Sequence, residues 1–368
     1  MANDANTLTE RQVAKPNAGN TVARLGGVGI LVLAVLGSFA YLGGWLSPKK
    51  LTPARFTNGL ETAFGGVHSG FRRNHAKGVC VTGFFEGNGQ GARLSKAEVF
   101  QAGRVPVIGR FSIGGGDPYA ADSAESVRAM ALQFTQPDGE QWRTAMIHLP
   151  AFPFKNPQAF YEQMMAGVPD PNTHKPDPEK MKAFIAGHPE FLRAVGIIRS
   201  HPLSSGFDNT AFYGLTAFRF VDANGNSTPV RWSFVPLQPF VALDPAASQP
   251  DRNYLFDDLI ASIHKHPLQW KLIVTVGQPN DPTNDASSPW PDNREQVDAG
   301  TLTLDTIESE ETSPAREINF DPLVLPVGIV PSDDPLLSAR SAVYSQSFTR
   351  RAGEKVEPSA ITPSDVRK

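Results

Sequence analysis

The sequence predicts an α+β fold: a mostly antiparallel β-sheet or barrel with helices packed outside it, preceded by one N-terminal transmembrane helix. Three observations predict it. Short β-branched and aromatic runs recur along the chain, and two of them flank Asn224-Gly225, a strong hairpin turn signal. Stretches of helical period lie between the runs, the pattern of an α+β layer architecture. Residues Leu25 to Leu46 are uncharged and mostly apolar, close to the roughly 20 residues that cross a bilayer as a helix.

The N-terminal organisation follows from that last stretch. Residues 1–24 are polar and read as a disordered tail, 25–46 as a transmembrane anchor, and 51–368 as one large domain. Ser38-Phe39-Ala40 offers a small-x-small cleavage site, so a signal sequence is the alternative to an anchor. Arg11, Lys15 and Arg24 precede the span and Lys49, Lys50 and Arg55 follow it, so charge bias does not orient it. The expected arrangement is single-pass in the inner membrane with the large domain in the periplasm, or export after cleavage.

Composition excludes several classes. Of 368 residues, 34 are Lys or Arg and 37 are Asp or Glu, for a net charge of -3, which is not the basic excess of a nucleic-acid binder. The single cysteine, Cys80, rules out an intrachain disulfide and reads as a small buried hydrophobe. No His-Glu-x-x-His and no Gly-x-Ser-x-Gly occurs. Gly114-Gly115-Gly116-Asp117 lacks the Gly-Lys-Ser/Thr of a phosphate loop. His264 and His266 read as a solvated helix end.

Taken in order, Thr52-Pro53 starts a helix with Phe56, Leu60 and Phe64 on one face, ended by Gly65-Gly66. Strands are predicted at Val79–Phe85, Val105–Ser112, Val127–Phe134 and Ala145–Phe154. Asn156-Pro157 caps a helix carrying Phe160, Met164 and Met165, and Pro178–Val195 reads as a surface helix. Strands at Ala217–Val221 and Val230–Val235, a helix over Leu255–His264, and strands at Trp270–Val276 and Thr301–Leu304 follow. Ser332-Asp333-Asp334-Pro335 then starts a last helix through Arg351.

Two stretches carry chemistry. In the first, Arg72-Arg73-Asn74-His75-Ala76-Lys77-Gly78, a histidine stands at the mouth of a strand. In the second, about 100° per residue places Arg340, Tyr344 and Arg351 within about 40° on one helical stripe. A guanidinium beside a phenol favours the phenolate, and a phenolate can ligate ferric iron. From spacing alone, a surface helix whose tyrosine packs over a core edge is the other reading.

Together the two stretches resemble the catalase family, in its shorter catalase-related peroxidase branch. The likeness runs from Thr52 to Arg351, with Phe320-Asp321-Pro322 and Gly328-Ile329 leading into the last helix. The resemblance implies a catalase-like antiparallel β-barrel and a haem cofactor. It implies Tyr344 as the axial iron ligand, Arg340 contacting its oxygen, and Arg351 contacting a propionate. It makes His75 the distal catalytic residue and Ser112 the hydroxyl that orients it, with Arg72 and Arg110 as further propionate partners. Phe160 falls where the family stacks a ring on the porphyrin. The chain departs from the family at Ile147-His148-Leu149-Pro150, where a distal asparagine is absent unless His148 or Asn74 substitutes. Only a short segment follows Arg351. Both points favour a peroxidase that reduces hydrogen peroxide or organic hydroperoxides with a small-molecule electron donor and has weak or no catalase activity. A same-fold isomerase or lyase of lipid hydroperoxides and a non-enzymatic haem-binding domain are the alternatives. No nucleic-acid partner is expected, and a homo-oligomer is allowed.

Overall fold

Eight antiparallel strands close on themselves in the computed structural model, which describes residues 18–43, 50–244 and 251–367. Strands β1 (Gly78–Gly87), β2 (Gly103–Ile113), β3 (Arg128–Thr135) and β4 (Gln141–Ile147) run as one meander. Strands β5 (Phe212–Val221), β6 (Ser227–Pro236), β7 (Leu268–Val276) and β8 (Gln296–Glu308) form a second. β8 pairs back onto β1, and β4 meets β5 through the single pair Ile147↔Tyr213. A short β9 (Ile329–Pro331) is added along β5. The hairpin predicted at Asn224-Gly225 joins β5 to β6, with Gly225 at φ 86, where a side chain would be strained.

Alternation along the strands decides what lies inside. Phe111, Met130, Leu132, Phe134, Trp142 and Met146 point into the barrel and belong to its buried core. Their neighbours Arg110, Ser112, Ala129, Ala131, Ala145 and Ile147 point outward. In an ordinary barrel that outer face would be solvated. Here it is covered by helices, and the covered space is the site described below.

The covering helices are α2 (Pro53–Ala63), α3 (Pro157–Ala166) and α7 (Pro335–Ala352), which pack on one another. Each starts as predicted, with proline in its first turn. The Asn156 side chain accepts from Ala159 N, and the Asp334 side chain accepts from Leu336 N, satisfying helix donors that have no partner within the helix. Glu61 on α2 takes Arg73 Nε at 2.7 Å and Arg350 Nη1 at 2.9 Å, tying α2 to α7. Helix α6 (Tyr254–Lys265) packs against β8.

Several elements differ from the prediction. The strand expected over Ala145–Phe154 runs Gln141–Ile147, because Pro150 and Pro153 have no N–H to give a ladder. The helix expected over Pro178–Val195 is two, α4 (Pro178–Gly187) and α5 (Pro189–Ser200). Pro189 cannot continue α4 and opens α5 instead. β5 begins at Phe212, ahead of the predicted Ala217.

The N-terminal unit holds one helix, α1 (Ala18–Leu42). Helix thus extends over residues 18–24, expected as tail, since nothing there breaks it; residues 1–17 and 44–49 lie outside the described residues. Its segment Ala23–Tyr41 spans 19 residues with mean hydropathy 1.9 and no burial, long and apolar enough to cross a membrane.

Candidate active site

Two rows of paired residues floor the site. Ser112, Ala129 and Ile147 are cross-strand partners in one row, and Arg110, Ala131 and Ala145 in the next. Direct partners stand about 4.5–5.5 Å apart at Cβ. Three alanines therefore leave a shallow apolar floor edged by one arginine and one serine. Above it, α7 presents Leu336, Ala339, Arg340, Val343, Tyr344, Ser347, Phe348 and Arg351, steps of three and four that keep one helical face inward. Floor and helix enclose a cavity of ≈ 560 Å³, within the roughly 300–1,000 Å³ of small-molecule and cofactor sites.

All eight residues singled out in the sequence line this one cavity: Arg72, His75, Arg110, Ser112, Phe160, Arg340, Tyr344 and Arg351. His75 and Tyr344, 269 positions apart by number, thus share a space. On α7, Arg340 Nη2 donates to Tyr344 Oη at 3.3 Å and to the Ala145 carbonyl at 2.9 Å. The predicted stripe is therefore a working contact. A guanidinium donor complements an oxygen that bears negative charge.

His75 is held by its backbone as much as by its ring. Its φ is 57°, a left-handed conformation that costs a non-glycine residue about 1 kcal/mol or more. Asn74 Oδ1 accepts from His75 N and from Gly115 N, both at 2.9 Å, and Ala76 N donates to the Gly115 carbonyl at 2.9 Å. The glycine-rich loop that is no phosphate loop is thus the template for the histidine segment. Ser112 Oγ lies 3.4 Å from His75 Nδ1. Burial, then Arg110, Arg340 and Arg72, push the His75 imidazole down to about 3, so it is neutral at physiological pH.

The segment Ile147-His148-Leu149-Pro150, where the asparagine is absent, turns two apolar residues to the cavity. Ile147 and Leu149 line the cavity; His148 does not. His148 Nδ1 instead accepts from Arg128 N at 3.1 Å, and burial, then Arg128, lower it to about 4. Asn74 lines the cavity, but its oxygen is bound to backbone donors. His148 is thus turned to the backbone, while Asn74 stays in the cavity lining. Phe160 stacks on Phe154, centroids 4.8 Å apart at 9°, and meets Phe56 edge-on at 5.4 Å.

The arginines form one cluster. Arg72 Nη2 and Arg351 Nη2 both donate to the Arg316 carbonyl, at 3.0 and 2.8 Å. Arg72 and Arg110 meet at Glu310, a buried carboxylate that no motif pointed to. Burial raises the Glu310 carboxyl, but Arg110 and Arg72 outweigh that and hold it below the usual range. Sequence reasoning missed Glu310 because it sits in a loop and its partners lie some 200 residues away. Among the described residues, Arg72 and Arg110 are hydrogen-bonded to that one buried carboxylate, whereas Arg340 donates to Tyr344 Oη and the Ala145 carbonyl and Arg351 to the Arg316 carbonyl; the exposed Glu317 stands 3.8 Å from Arg351. Such an excess of buried positive charge suits a ligand bearing several negative charges. Cys80, buried as expected, is pushed up to about 12 by burial and Glu310, and is no nucleophile.

Comparison with known proteins fits this geometry. The family model for catalase matches residues 70–362. The chain is 38% identical over 302 residues to a catalase-related peroxidase of Synechococcus elongatus, covering 82% of this chain and 89% of that one. It is 32% identical to a catalase-related peroxidase of Mycolicibacterium paratuberculosis, covering 82% and 96%. Among solved structures, a fungal catalase superposes with TM-score 0.70 at 20% identity, over 78% of this chain and 60% of that one. Catalase A from Saccharomyces cerevisiae gives 0.68 at 19% identity, over 78% and 62%. The chain thus spans about three fifths of those larger catalases but most of the shorter relatives. It belongs to the catalase family, in its catalase-related peroxidase branch.

Proposed function

We propose that this peroxidase would hold haem in the cavity between the β2–β4 floor and α7, with His75 as its acid–base residue and the Tyr344 oxygen as the group that would ligate the iron. The observation that carries the reading is the single cavity lined by the His75–Ser112 pair and the Arg340–Tyr344 pair. The residues fit the group. The alanine floor admits a flat apolar ring, Arg72, Arg110 and Arg351 gather where two propionates would lie, and Tyr344 Oη offers an oxygen ligand backed by a cation. When bound, haem supplies the two-electron redox chemistry.

The chain supplies geometry and protons. Neutral His75 takes a proton at Nε2 from the peroxide and returns it to the oxygen that leaves as water or alcohol. Ser112, at Nδ1, orients the ring so that Nε2 faces the substrate. Arg340 donates a hydrogen bond to Tyr344 Oη and holds that oxygen in place. A small organic donor returns the two electrons.

Apolar Ile147 and Leu149 in the cavity lining, at the segment where the family carries a distal asparagine, support reduction of hydrogen peroxide or organic hydroperoxides over dismutation. The apolar segment Ala23–Tyr41 supports a membrane anchor, which we assign to the inner membrane with the enzyme domain in the periplasm. The test is purification followed by an absorption spectrum and a donor screen. A ferric tyrosinate-ligated haem with donor-dependent turnover and little oxygen evolution is expected. Colourless protein that takes up no haem ends the reading, and fractionation of cells tests the anchor.

A further inference from the structure

Glu310 reaches the histidine through a chain of directional bonds. Glu310 Oε1 accepts from Arg110 Nε at 2.7 Å and from Arg72 Nη1 at 2.8 Å, and Oε2 accepts from Arg110 Nη2 at 3.0 Å. Arg110 in turn donates Nη1 to the His75 carbonyl at 2.8 Å and Nη2 to the Ala76 carbonyl at 3.0 Å. A carboxylate that grips both nitrogens of one guanidinium edge fixes its plane. The remaining nitrogen then points in one direction, and that direction is the backbone of a residue at φ 57°.

The surroundings are built for this clamp. A Cβ on Gly78 would lie 2.5 Å from Arg110 Cζ, so only glycine lets the guanidinium pass beneath the chain there. Arg110 is 2% exposed and Glu310 3%, so neither carries a solvent role. The left-handed turn at His75 persists only where its surroundings over-determine it. Asn74 and Gly115 hold its amide side, and Arg110 holds its carbonyl side.

We infer that Glu310 is a positioning residue for the His75 imidazole, acting through Arg110 on the His75 carbonyl. The inference rests on the acid–base reading of His75 given above. It separates two halves of the reaction. Proton transfer to and from peroxide depends on Glu310; oxidation of the donor does not.

The experiment compares haem-loaded wild type with Glu310→Gln, Glu310→Asp, Arg110→Lys and His75→Ala. It reads the association rate of hydrogen cyanide with the ferric protein, the second-order constants for peroxide and for donor, and the ferric spectrum. Hydrogen cyanide must give up its proton to bind, so its rate reports the base without turnover. In Glu310→Gln the cyanide and peroxide constants are expected to fall together by roughly 10- to 100-fold, the cost of a misplaced group. The donor constant and spectrum stay as in wild type, and Glu310→Asp recovers part of the loss. Arg110→Lys, which keeps the charge but not the fork, is expected to lose the cyanide and peroxide constants likewise, both read per haem bound because Arg110 also lines the cavity, and serves if Glu310→Gln does not fold. Wild-type cyanide and peroxide constants in Glu310→Gln, or one loss shared by every constant in proportion to haem content, would overturn the inference. A wild-type peroxide constant in His75→Ala overturns the acid–base reading instead, whatever Glu310 does.

Discussion

Arg340 Nη2 bridges Tyr344 Oη, at 3.3 Å, and the Ala145 carbonyl on β4, at 2.9 Å. One guanidinium thus supports the phenolic oxygen and pins α7 to the barrel. Tyr344→Phe removes the oxygen and is expected to abolish tyrosinate-ligated haem while leaving the fold intact, measured by absorption and by circular dichroism. Arg340→Leu keeps the oxygen but leaves it without its cation. Haem is then retained more weakly, and a haem-transfer assay to a scavenger protein should show faster loss.

His75→Ala should bind haem and lose peroxide reduction by roughly 10²- to 10⁴-fold, the usual contribution of a positioned acid–base group. Because wild-type His75 is held down to about 3, the wild-type peroxide constant should not fall through the ordinary histidine range. A stopped-flow pH profile showing an acid limb near the unperturbed value of about 6.5 would contradict this.

The same shift has a consequence for stability. His75 and His148 are lowered to about 3 and about 4 in the fold, whereas unfolded histidine titrates near 6.5. Below about 6.5 the unfolded chain binds the additional protons, so their contribution is full above that pH and is lost as pH falls toward the folded values. His75→Gln in the haem-free protein should flatten the acid side of a urea-denaturation pH series.

Asp334 titrates with the opposite sign. Burial raises its carboxyl to about 6, and its Oδ2 is buried without a hydrogen-bond partner among the described residues, while Oδ1 caps α7 through Leu336 N. Its folded value lies above the unfolded one, so stability is full below about 4 and falls as pH rises through 6. Asp334→Asn keeps a capping oxygen without the charge and should stabilise the protein above pH 6, by at most about 3 kcal/mol. Asp334→Ala loses the cap, worth about 1 kcal/mol. Thermal melts at two pH values distinguish the pair.

Ile147 lines the cavity within the segment that lacks a distal asparagine. Ile147→Asn should raise oxygen evolution from hydrogen peroxide relative to donor oxidation. Unchanged partition in an oxygen-electrode assay would show that this position does not control it.

What the sequence disclosed depended on how local the signal was. Asp334-Pro335 and the three-and-four spacing from Leu336 to Arg351 define α7 and the face it turns inward, because cap and period are both read within one segment. Asn224-Gly225 placed its hairpin for the same reason. The break at His188-Pro189 was available but was masked by continuous amphipathic character on both sides. Glu310 and Asn74 had no local mark. Their importance comes from partners brought near by the barrel register and by the glycine loop, which no spacing rule encodes. Likewise the family motif named Arg110 as a ligand contact, yet most of its donors serve the chain itself.

The barrel is joined all round by ladders of seven pairs or more, except at the seam between β4 and β5, which rests on Ile147↔Tyr213. Both partners of that seam face the cavity. The cylinder is therefore most easily parted where its cargo sits. Whatever fills the cavity also rivets shut the one open stave, and amide exchange near Tyr213 would slow on loading more than anywhere else in the sheet.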